Sequence, residues 1–193
     1  MTATQQPNRR WRPSDAPETI ALVGAPNVGK SVLFGSIADE YADVSNYPGT
    51  TVETTAATVG SARIIDTPGV HGISSFSEAE RITRDIVLGA DAVVNVVDAT
   101  QLDRDLFLTL QLLDMGVPTV VALNMMDEAE ADGIEVDVDA LETALGVPVV
   151  PTVAVTDTGV PALRRQLPEA TAPATTPIAE HYDALPDDIK ASR

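Results

Sequence analysis

The chain has 193 residues, of which 44% are hydrophobic and 4% aromatic, enough for one domain with a buried core. A formal net charge of −17 argues against non-specific binding to nucleic acid, and the lack of cysteine excludes disulfides and thiolate metal sites. No apolar run approaches the roughly 20 residues that span a bilayer, and no signal peptide is visible, so we expect a cytoplasmic protein.

Residues 1–17 are polar and contain a basic-aromatic cluster, Arg9 to Arg12. We expect a disordered arm here, with contact to lipid or to a partner as the alternative. Lysine occurs only at Lys30 and Lys190, and arginine supplies the other positive side chains. An acidic surface with so little lysine favours a halophilic protein, whose self-repulsion is screened in a salt-rich cytoplasm, over an ordinary acidic protein.

An apolar, β-prone run from Thr19 to Val23 leads into a glycine-rich loop, after which apolar residues recur at helical spacing. Strand, loop and helix in this order indicate a phosphate-binding loop, with a chance glycine turn as the alternative. Its glycines would turn backbone N–H groups towards an anion, Lys30 would reach the β- and γ-phosphates, and the Ser31 hydroxyl would bind Mg²⁺. The residues predicted to bind the nucleotide here are Gly24, Ala25, Pro26, Asn27, Val28, Gly29, Lys30, Ser31 and Val32.

The segment from Tyr47 to Glu53 contains Pro-Gly-Thr-Thr and precedes a run of alternating polarity. A threonine at this point can bind Mg²⁺ and the γ-phosphate before hydrolysis and release them afterwards, which would make the segment a switch. Thr51 is the favoured ligand and Thr50 the alternative. The structural interpretation is that two β-prone threonines simply begin a strand.

A turn sequence, Asp-Thr-Pro-Gly at residues 66–69, follows the predicted strand that ends at Ile65. Asp66 would hold the Mg²⁺ shell through water, and the Gly69 N–H would meet the γ-phosphate, although the same pattern also forms ordinary turns. Val70 comes next. Because a valine can neither orient water nor stabilise charge, we expect slow intrinsic hydrolysis.

Two nearly unbroken apolar runs, 92–97 and 118–123, are typical of parallel strands covered on both faces. Leucines recur at helical spacing between them and should pack on the sheet. These are Leu102, Leu106, Leu110 and Leu113. A strand from Val147 to Val153 and a helix from Val160 to Leu167 complete the alternation. It predicts a doubly wound, mostly parallel α/β sheet whose ligand lies at the carboxyl ends of the strands.

Two other polar residues lie close to predicted strand ends. We interpret His71 as an exposed loop residue rather than a catalytic one. Asp98 is interpreted as the cap of the helical segment that follows it, because the nucleotide signatures already fill the site.

Asn124-Met125-Met126-Asp127 closes the strand that begins at Pro118. A carboxylate at Asp127 can accept hydrogen bonds from the N1–H and the 2-amino group of guanine, which adenine cannot supply. We therefore predict GTP or GDP as the ligand, bound at Asn124, Met125 and Asp127. Met125 stands where a lysine is usual. Its thioether can cover the base, but it has no ammonium group to hold the phosphate loop in place. We expect modest GDP affinity and fast release.

Three residues after the last predicted strand complete the nucleotide site. Ala154, Val155 and Thr156 occupy the place where a backbone N–H meets the guanine O6. They depart from the usual Ser-Ala pair, so this assignment rests on position.

From Glu18 to about Leu167 the chain resembles the G domain of ferrous iron transport protein B, FeoB. The resemblance rests on the phosphate-binding loop, the segment Asn46 to Glu53, and above all the stretches Val96 to Leu113 and Val121 to Ala129. GTPases of tRNA modification and ribosome assembly share Pro-Gly-Thr-Thr and Asp-Thr-Pro-Gly with this chain. They lack its helix sequence Leu-x-Leu-Thr-Leu-Gln-Leu-Leu.

The resemblance implies a P-loop GTPase fold over residues 18–167 and Mg²⁺-dependent hydrolysis of GTP. It also implies stimulation by K⁺, which takes the place of an arginine finger and is held in part by Asn27. A turn-capping side chain is the alternative for Asn27. The residues on which catalysis would depend are Asn27, Lys30, Thr51 and Gly69.

FeoB proteins continue into a helical regulatory domain and a polytopic membrane domain. Residues 168–193 instead form an Ala-, Pro- and Thr-rich linker and a tail that faintly resembles the beginning of the regulatory domain. We therefore expect a regulator of ferrous iron uptake that acts on a separately encoded membrane permease, recruited to the inner face of the membrane. The alternatives are a soluble GTPase of ribosome assembly or tRNA modification, which the lack of a basic stripe disfavours, and a nucleotide-binding switch with negligible hydrolysis.

Overall fold

The computed structural model describes residues 17–38, 40–48, 50–74, 77–170 and 172. Its strands are β1 (Thr19–Gly24), β2 (Glu40–Asn46), β3 (Glu53–Val59), β4 (Ala62–Asp66), β5 (Ala92–Asp98), β6 (Thr119–Asn124) and β7 (Val149–Pro151). Its α-helices are α1 (Lys30–Ile37), α2 (Glu78–Gly89), α3 (Leu102–Asp114), α4 (Met126–Ala131), α5 (Val138–Leu145) and α6 (Val160–Gln166). Short 3₁₀ turns cover Ala99–Gln101, Ala154–Thr156 and Leu167–Glu169.

The seven described strands form one sheet in the order β2-β3-β4-β1-β5-β6-β7. Every pair from β4 through β1, β5 and β6 to β7 is parallel, whereas β2 and β3 add an antiparallel edge. The predicted doubly wound, mostly parallel sheet is confirmed. Because β1, β5 and β6 are parallel neighbours, their carboxyl ends meet at one edge of the sheet, where the phosphate loop begins.

Helices cover both faces of the sheet, which explains why the central strands are apolar throughout. Every residue of β5 and of β6 is buried. On one face α1 and α6 contribute Leu33, Ile37 and Leu163 to the core. On the other face, α2 and α3 pack against β1 and β5, and the leucine stripe of α3 lies against β6. Burial on both faces favours continuous β-branched runs such as those of β5 and β6.

The last strand is shorter than the sequence predicted. β7 covers only Val149–Pro151, rather than 147–153. Pro151 pairs with Leu123, and Thr152 N continues the parallel ladder by donating to Leu123 O at 2.8 Å. Val153 then leaves the sheet to form an isolated bridge with Thr158. Ala154 N donates to the Asn124 side chain rather than to a backbone carbonyl of β6, so the ladder ends here.

None of the helices in the described part of the chain has the length and apolar character needed to cross a membrane. The arm predicted for residues 1–17 lies outside the described residues except for Pro17. Of the linker and tail predicted for 168–193, only residues 168–170 and 172 are described. The disordered arm and the linker with its tail therefore remain predictions.

Candidate functional site

The loop between β1 and α1 wraps around a cavity of about 480 Å³. The cavity is lined by Ala25, Pro26, Asn27, Gly29, Lys30, Ser31, Val32 and Gly69. Asn27 and Gly29 have left-handed backbone conformations, with φ of 66° and 82°. Gly24 and Val28, also predicted at this site, are buried and are not among the lining residues.

Lys30 is the one charged residue among the described residues that line this cavity. Its Nζ donates to Asp66 Oδ1 and to the Thr67 carbonyl oxygen, both at 2.5 Å. The Lys30 side chain is only 9% exposed, and Asp66 supplies a compensating negative charge at the end of β4. An ammonium group with such limited access to water interacts strongly with any anion that enters the cavity.

Ser31 and Asp66, two of the three residues predicted to hold Mg²⁺, lie next to each other. Ser31 Oγ donates to Asp66 Oδ2 at 3.2 Å. Proteins usually bind Mg²⁺ through one or two carboxylates, with water and substrate phosphates completing an octahedron of oxygen ligands. In the described part of the chain no cluster of three acidic or histidine side chains forms a separate metal cage. The hydroxyl and carboxylate present therefore fit a metal that is bound together with a phosphate ligand.

The two threonines of the predicted switch differ in their surroundings. Thr50 Oγ1 donates to the Tyr47 carbonyl at 2.9 Å and accepts from Val52 N at 3.3 Å, so it shapes the turn before β3. Thr51 is exposed, and its hydroxyl has no hydrogen-bond partner among the described residues. Of the two hydroxyls, that of Thr51 is the one that remains available to a ligand, although Thr51 does not line the cavity.

The loop after β4 approaches the phosphate loop closely. A Cβ atom on Gly69 would lie 3.0 Å from Pro26 Cα, so glycine permits this approach. Val70 N donates to the Gly24 carbonyl at 3.0 Å, and the Val70 side chain is buried in the core. His71 is exposed, as predicted. Neither Val70 nor His71 is among the residues that line the cavity.

A second, smaller cavity of about 140 Å³ adjoins the first. Gly29 and Val32 line both cavities. Its other lining residues are Asn124, Met125, Asp127, Glu128, Val153, Ala154 and Val155. The two cavities together can hold a ligand with an anionic part over the phosphate loop and a flat, less polar part beside α4.

Asn124 links the walls of this second cavity. Its Nδ2 donates to the Val28 carbonyl at 2.9 Å. Its Oδ1 accepts from Ala154 N at 3.0 Å and from Thr152 Oγ1 at 3.2 Å. Since Asn124 is only 3% exposed, these bonds satisfy a buried amide and fix the phosphate loop relative to the turn after β7.

Met125 and Asp127 lie at the start of α4. Met125 adopts a left-handed conformation with φ of 62°. Its Cε lies 3.9 Å from the position of a Cβ on Gly29, so the thioether reaches the shared wall of the two cavities. Asp127 is exposed in the first turn of α4.

The turn after β7 agrees only partly with the predicted trio. Ala154 and Val155 line the second cavity, and Val155 is 74% exposed. Thr156 lies away from it, where its hydroxyl donates to the Val153 carbonyl at 3.2 Å. Val153 and Glu128 line the cavity without having been predicted, because neither belongs to a motif with a chemical signature.

Asp98 caps the 3₁₀ turn after β5, as predicted. Its Oδ1 accepts from Thr100 N at 2.8 Å and from Thr100 Oγ1 at 2.7 Å. Arg104 Nε donates to Asp105 Oδ1 at 2.7 Å. This hydrogen bond raises the pKa of Arg104, and the nearby charge of Asp98 adds to the effect. The cluster fixes the start of α3 and lies outside both cavities.

A family model described as ferrous iron transport protein B matches residues 18–167. The chain belongs to the FeoB family. The Fe(2+) transporter FeoB of Salmonella typhimurium is 43% identical over 156 residues, which are 76% of this chain and 20% of that protein. The FeoB of Escherichia coli K12 is 40% identical over the same shares. The chain thus spans about one fifth of the length of these curated FeoB relatives.

Solved FeoB structures share the fold. A mutant of S. thermophilus NFeoB bound to mGDP has a TM-score of 0.77 at 41% identity, over 82% of this chain and 63% of that one. A second NFeoB mutant, bound to GMPPNP, has a TM-score of 0.70 at 42% identity, over 82% and 63%. The FeoB G-domain from Methanococcus jannaschii has a TM-score of 0.66 at 40% identity, over 79% of this chain and 96% of that one. The predicted P-loop GTPase fold of a FeoB G domain is confirmed.

Proposed function

We propose that this chain is a GTP-binding and GTP-hydrolysing switch that regulates ferrous iron uptake through a membrane permease. One observation carries the proposal: the phosphate-loop cavity and the second cavity share Gly29 and Val32, so one nucleotide can occupy both. The FeoB relatives crystallised with GDP or GMPPNP support guanine nucleotide as the ligand.

The phosphates would bind in the larger cavity. Lys30 would turn its ammonium from Asp66 and the Thr67 carbonyl towards the β- and γ-phosphates, and the Gly69 N–H would donate to the γ-phosphate. Ser31 and Thr51 would give hydroxyl ligands to Mg²⁺, with Asp66 holding the metal's water shell. When bound, Mg²⁺ neutralises the charge of the phosphate oxygens.

The base would bind in the smaller cavity. Asp127 would accept from N1–H and the 2-amino group of guanine, whereas adenine would leave the carboxylate without donors. Met125 would cover one face of the ring. Asn124 would keep the walls in place through its bonds to Val28 and Ala154, and backbone N–H groups of the 154–156 turn would meet O6.

Hydrolysis would depend on positioning rather than on a side-chain base. Val70 is buried and apolar, so it cannot orient the attacking water. Asn27 lines the phosphate cavity, and the oxygen of its side-chain amide would hold K⁺ there. A bound K⁺ supplies positive charge to the phosphate oxygens during hydrolysis.

The proposal is tested by the rates at which the 193-residue protein hydrolyses GTP and ATP in the presence of Mg²⁺. We expect multiple turnover with GTP and none with ATP. Lys30→Ala should abolish turnover, whereas Lys190→Ala, the other lysine of the sequence, should retain it. A wild-type protein that binds GTP without turning it over would instead be a non-hydrolysing switch.

The membrane partner is tested separately. We propose that this G domain binds a separately encoded permease at the membrane's inner face and that the transport step occurs there; the FeoB transporter relatives support ferrous iron as the cargo. Affinity capture from a native extract should retain a polytopic membrane protein with GMPPNP but not with GDP. Retention of ribosomal subunits or tRNA-modifying proteins would favour a GTPase of RNA metabolism instead.

A further inference from the structure

The segment that follows Gly69 is held at two points by groups that do not line the nucleotide site. At its start, Val70 N donates to the Gly24 carbonyl at 3.0 Å. Three residues later, Ile73 N donates to the side-chain Oε1 of Gln111 on α3, also at 3.0 Å. The backbone of residues 70–73 is therefore hydrogen-bonded to the phosphate loop at one end and to α3 at the other.

Gln111 lies directly against this segment. A Cβ atom on Gly72 would come within 3.0 Å of Gln111 Oε1 and 3.4 Å of Phe107 Cε1, so the backbone passes close to both side chains. Gln111 is half-buried, and Ile73 is buried in the core beneath α2 and α3. A hydrogen bond in such surroundings fixes the backbone more firmly than one exposed to water.

The helix that carries Gln111 is itself attached to the base of the phosphate loop. Thr109 Oγ1 donates to Asn95 Oδ1 at 2.6 Å, and Asn95 Nδ2 donates to the Val23 carbonyl at 3.4 Å. Thr109 and Asn95 are both fully buried. Since Val23 immediately precedes Gly24, the position of α3 is fixed relative to the loop that would hold the phosphates.

We propose that Gln111 is a positioning residue for recognition of the γ-phosphate. By accepting the Ile73 N–H, it sets the path of residues 70–73 and hence the direction of the Gly69 N–H. This inference rests on the proposed function, in which Gly69 donates to the γ-phosphate of GTP. GDP has no γ-phosphate, so Gln111 should affect binding of the triphosphate and leave binding of GDP unchanged.

The test compares dissociation constants for GMPPNP and GDP in the full chain and three variants. Gln111→Met keeps the length of the side chain but removes the acceptor oxygen, whereas Gln111→Glu keeps an acceptor. Gln101→Met is the matched control, because Gln101 is exposed and makes no side-chain capping bond at the start of α3. The readout is the ratio of the two dissociation constants, which cancels any effect common to both nucleotides.

We expect Gln111→Met to weaken GMPPNP relative to GDP by about fivefold, the size expected for loss of one neutral hydrogen bond. Gln111→Glu and Gln101→Met should keep the wild-type ratio. An unchanged ratio in Gln111→Met, even with lowered thermal stability, would overturn the inference and leave Gln111 a purely structural residue. Failure of the wild type to bind GMPPNP at all would instead overturn the proposed function.

Amide hydrogen exchange in the wild type gives an answer that does not depend on any variant folding. The Ile73 amide should exchange more slowly with GMPPNP bound than with GDP bound, because the γ-phosphate would fix Gly69 and tighten the segment. Equal exchange rates in the two states would contradict the inference. The amide of Leu123 in β6, which lies within the sheet, serves as the reference.

Discussion

Asn124 and Asp127 both line the smaller cavity but differ in their surroundings. Asn124 is 3% exposed and uses its amide to join the phosphate loop to the turn after β7. Asp127 is exposed and presents its carboxylate at the first turn of α4. In the proposed binding mode, Asn124 supports the walls of the cavity and Asp127 selects the base.

Exchange of Asp127 for asparagine should change which base is bound. The amide would present donors where guanine also presents donors, so we expect GTP affinity to fall by on the order of 100-fold. Xanthosine triphosphate, which has a carbonyl in place of the 2-amino group, should bind the variant better than GTP does. Competition with a fluorescent nucleotide measures both affinities.

Glu130→Gln is the control for this experiment. Glu130 is exposed on the same helix and does not line the cavity, so the variant should keep the wild-type preference for GTP. If Asp127→Asn still preferred GTP over xanthosine triphosphate, the assignment of Asp127 to the base would be wrong.

Asn27→Ala should remove the response of hydrolysis to K⁺. In the wild type we expect at least about tenfold faster turnover in KCl than in NaCl of equal concentration, because a positioned cation stabilises the transition state electrostatically. The variant should show equal, slow rates in both salts. Equal wild-type rates in the two salts would rule out a K⁺ site, and an unaltered K⁺ response in the variant would place that site elsewhere.

The sequence predicted the residues with distinctive chemistry better than those that complete the walls. Lys30, Ser31 and Asp66 come together as expected, because each belongs to a motif at the end of a strand. Val153 was missed because a hydrophobic residue after a strand has no signature of its own. The bond from Ile73 to Gln111 joins residues 38 positions apart, so it depends on the packing of α3 against the loop after β4.

At the scale of elements, the phosphate loop and the end of β6 are packed so closely that they act as one unit. Gly29 adopts φ of 82°, and a Cβ there would lie 2.3 Å from Asn124 Nδ2. The same glycine forms part of both cavities. A shift of β6 or α4 would therefore also displace the loop that lines the larger cavity.

Gly29→Ala should destabilise the protein through strain and through this clash. Gly133→Ala is the matched control, because its φ is 72° but nothing lies within 4 Å of the added carbon. We expect about 1 kcal/mol of lost unfolding free energy for Gly133→Ala. Gly29→Ala should lose about 1–3 kcal/mol more, together with nucleotide binding. Urea unfolding gives both values, and equal losses would show that the loop accommodates the added carbon without a clash.

The packing of α3 on the sheet is tested by a pair of leucines. Leu112 is fully buried in the core formed with α2, whereas Leu88 on α2 is 61% exposed. Leu112→Ala should lower the free energy of unfolding by about 3 kcal/mol, and Leu88→Ala by less than about 0.5 kcal/mol. Denaturant titrations measure the two losses, and similar values would show that α3 is only loosely packed.

The order of elements was predictable from periodicity, but their ends were less so. Apolar runs identified β5 and β6, because strands buried on both faces are apolar throughout. The leucine stripe identified α3, because a helix buried on one face repeats its apolar residues at helical spacing. β7 ends early because Val153 bridges to Thr158 and because Ala154 N donates to the Asn124 side chain rather than to the backbone of β6. Such tertiary bonds are invisible in a local pattern.

For the molecule as a whole, the sequence carries a formal net charge of −17 on 193 residues. Carboxylates repel one another, and salt at concentrations well above 0.1 M shortens the range of that repulsion to a few ångströms. A protein with this excess of negative charge is expected to lose stability when salt is withdrawn.

The melting temperature should therefore rise with KCl. A stabilisation of about 2 kcal/mol between 0.1 M and 2 M KCl would raise it by roughly 4–8 °C for a chain of this size. Calorimetry at a series of KCl concentrations measures the dependence. Full stability at low salt would contradict the halophilic interpretation and indicate an ordinary acidic protein.

The scarcity of lysine has a practical consequence at the ion pair between Lys30 and Asp66. Lys30 and Lys190 carry the only side-chain amines of the sequence, and Lys30 is 9% exposed with its Nζ bonded to two oxygens. An acylating reagent must reach the amine nitrogen, so burial and these two hydrogen bonds should slow the modification of Lys30. The rate of Lys30 acylation, measured by mass spectrometry of peptides, would therefore report nucleotide occupancy without any engineered label.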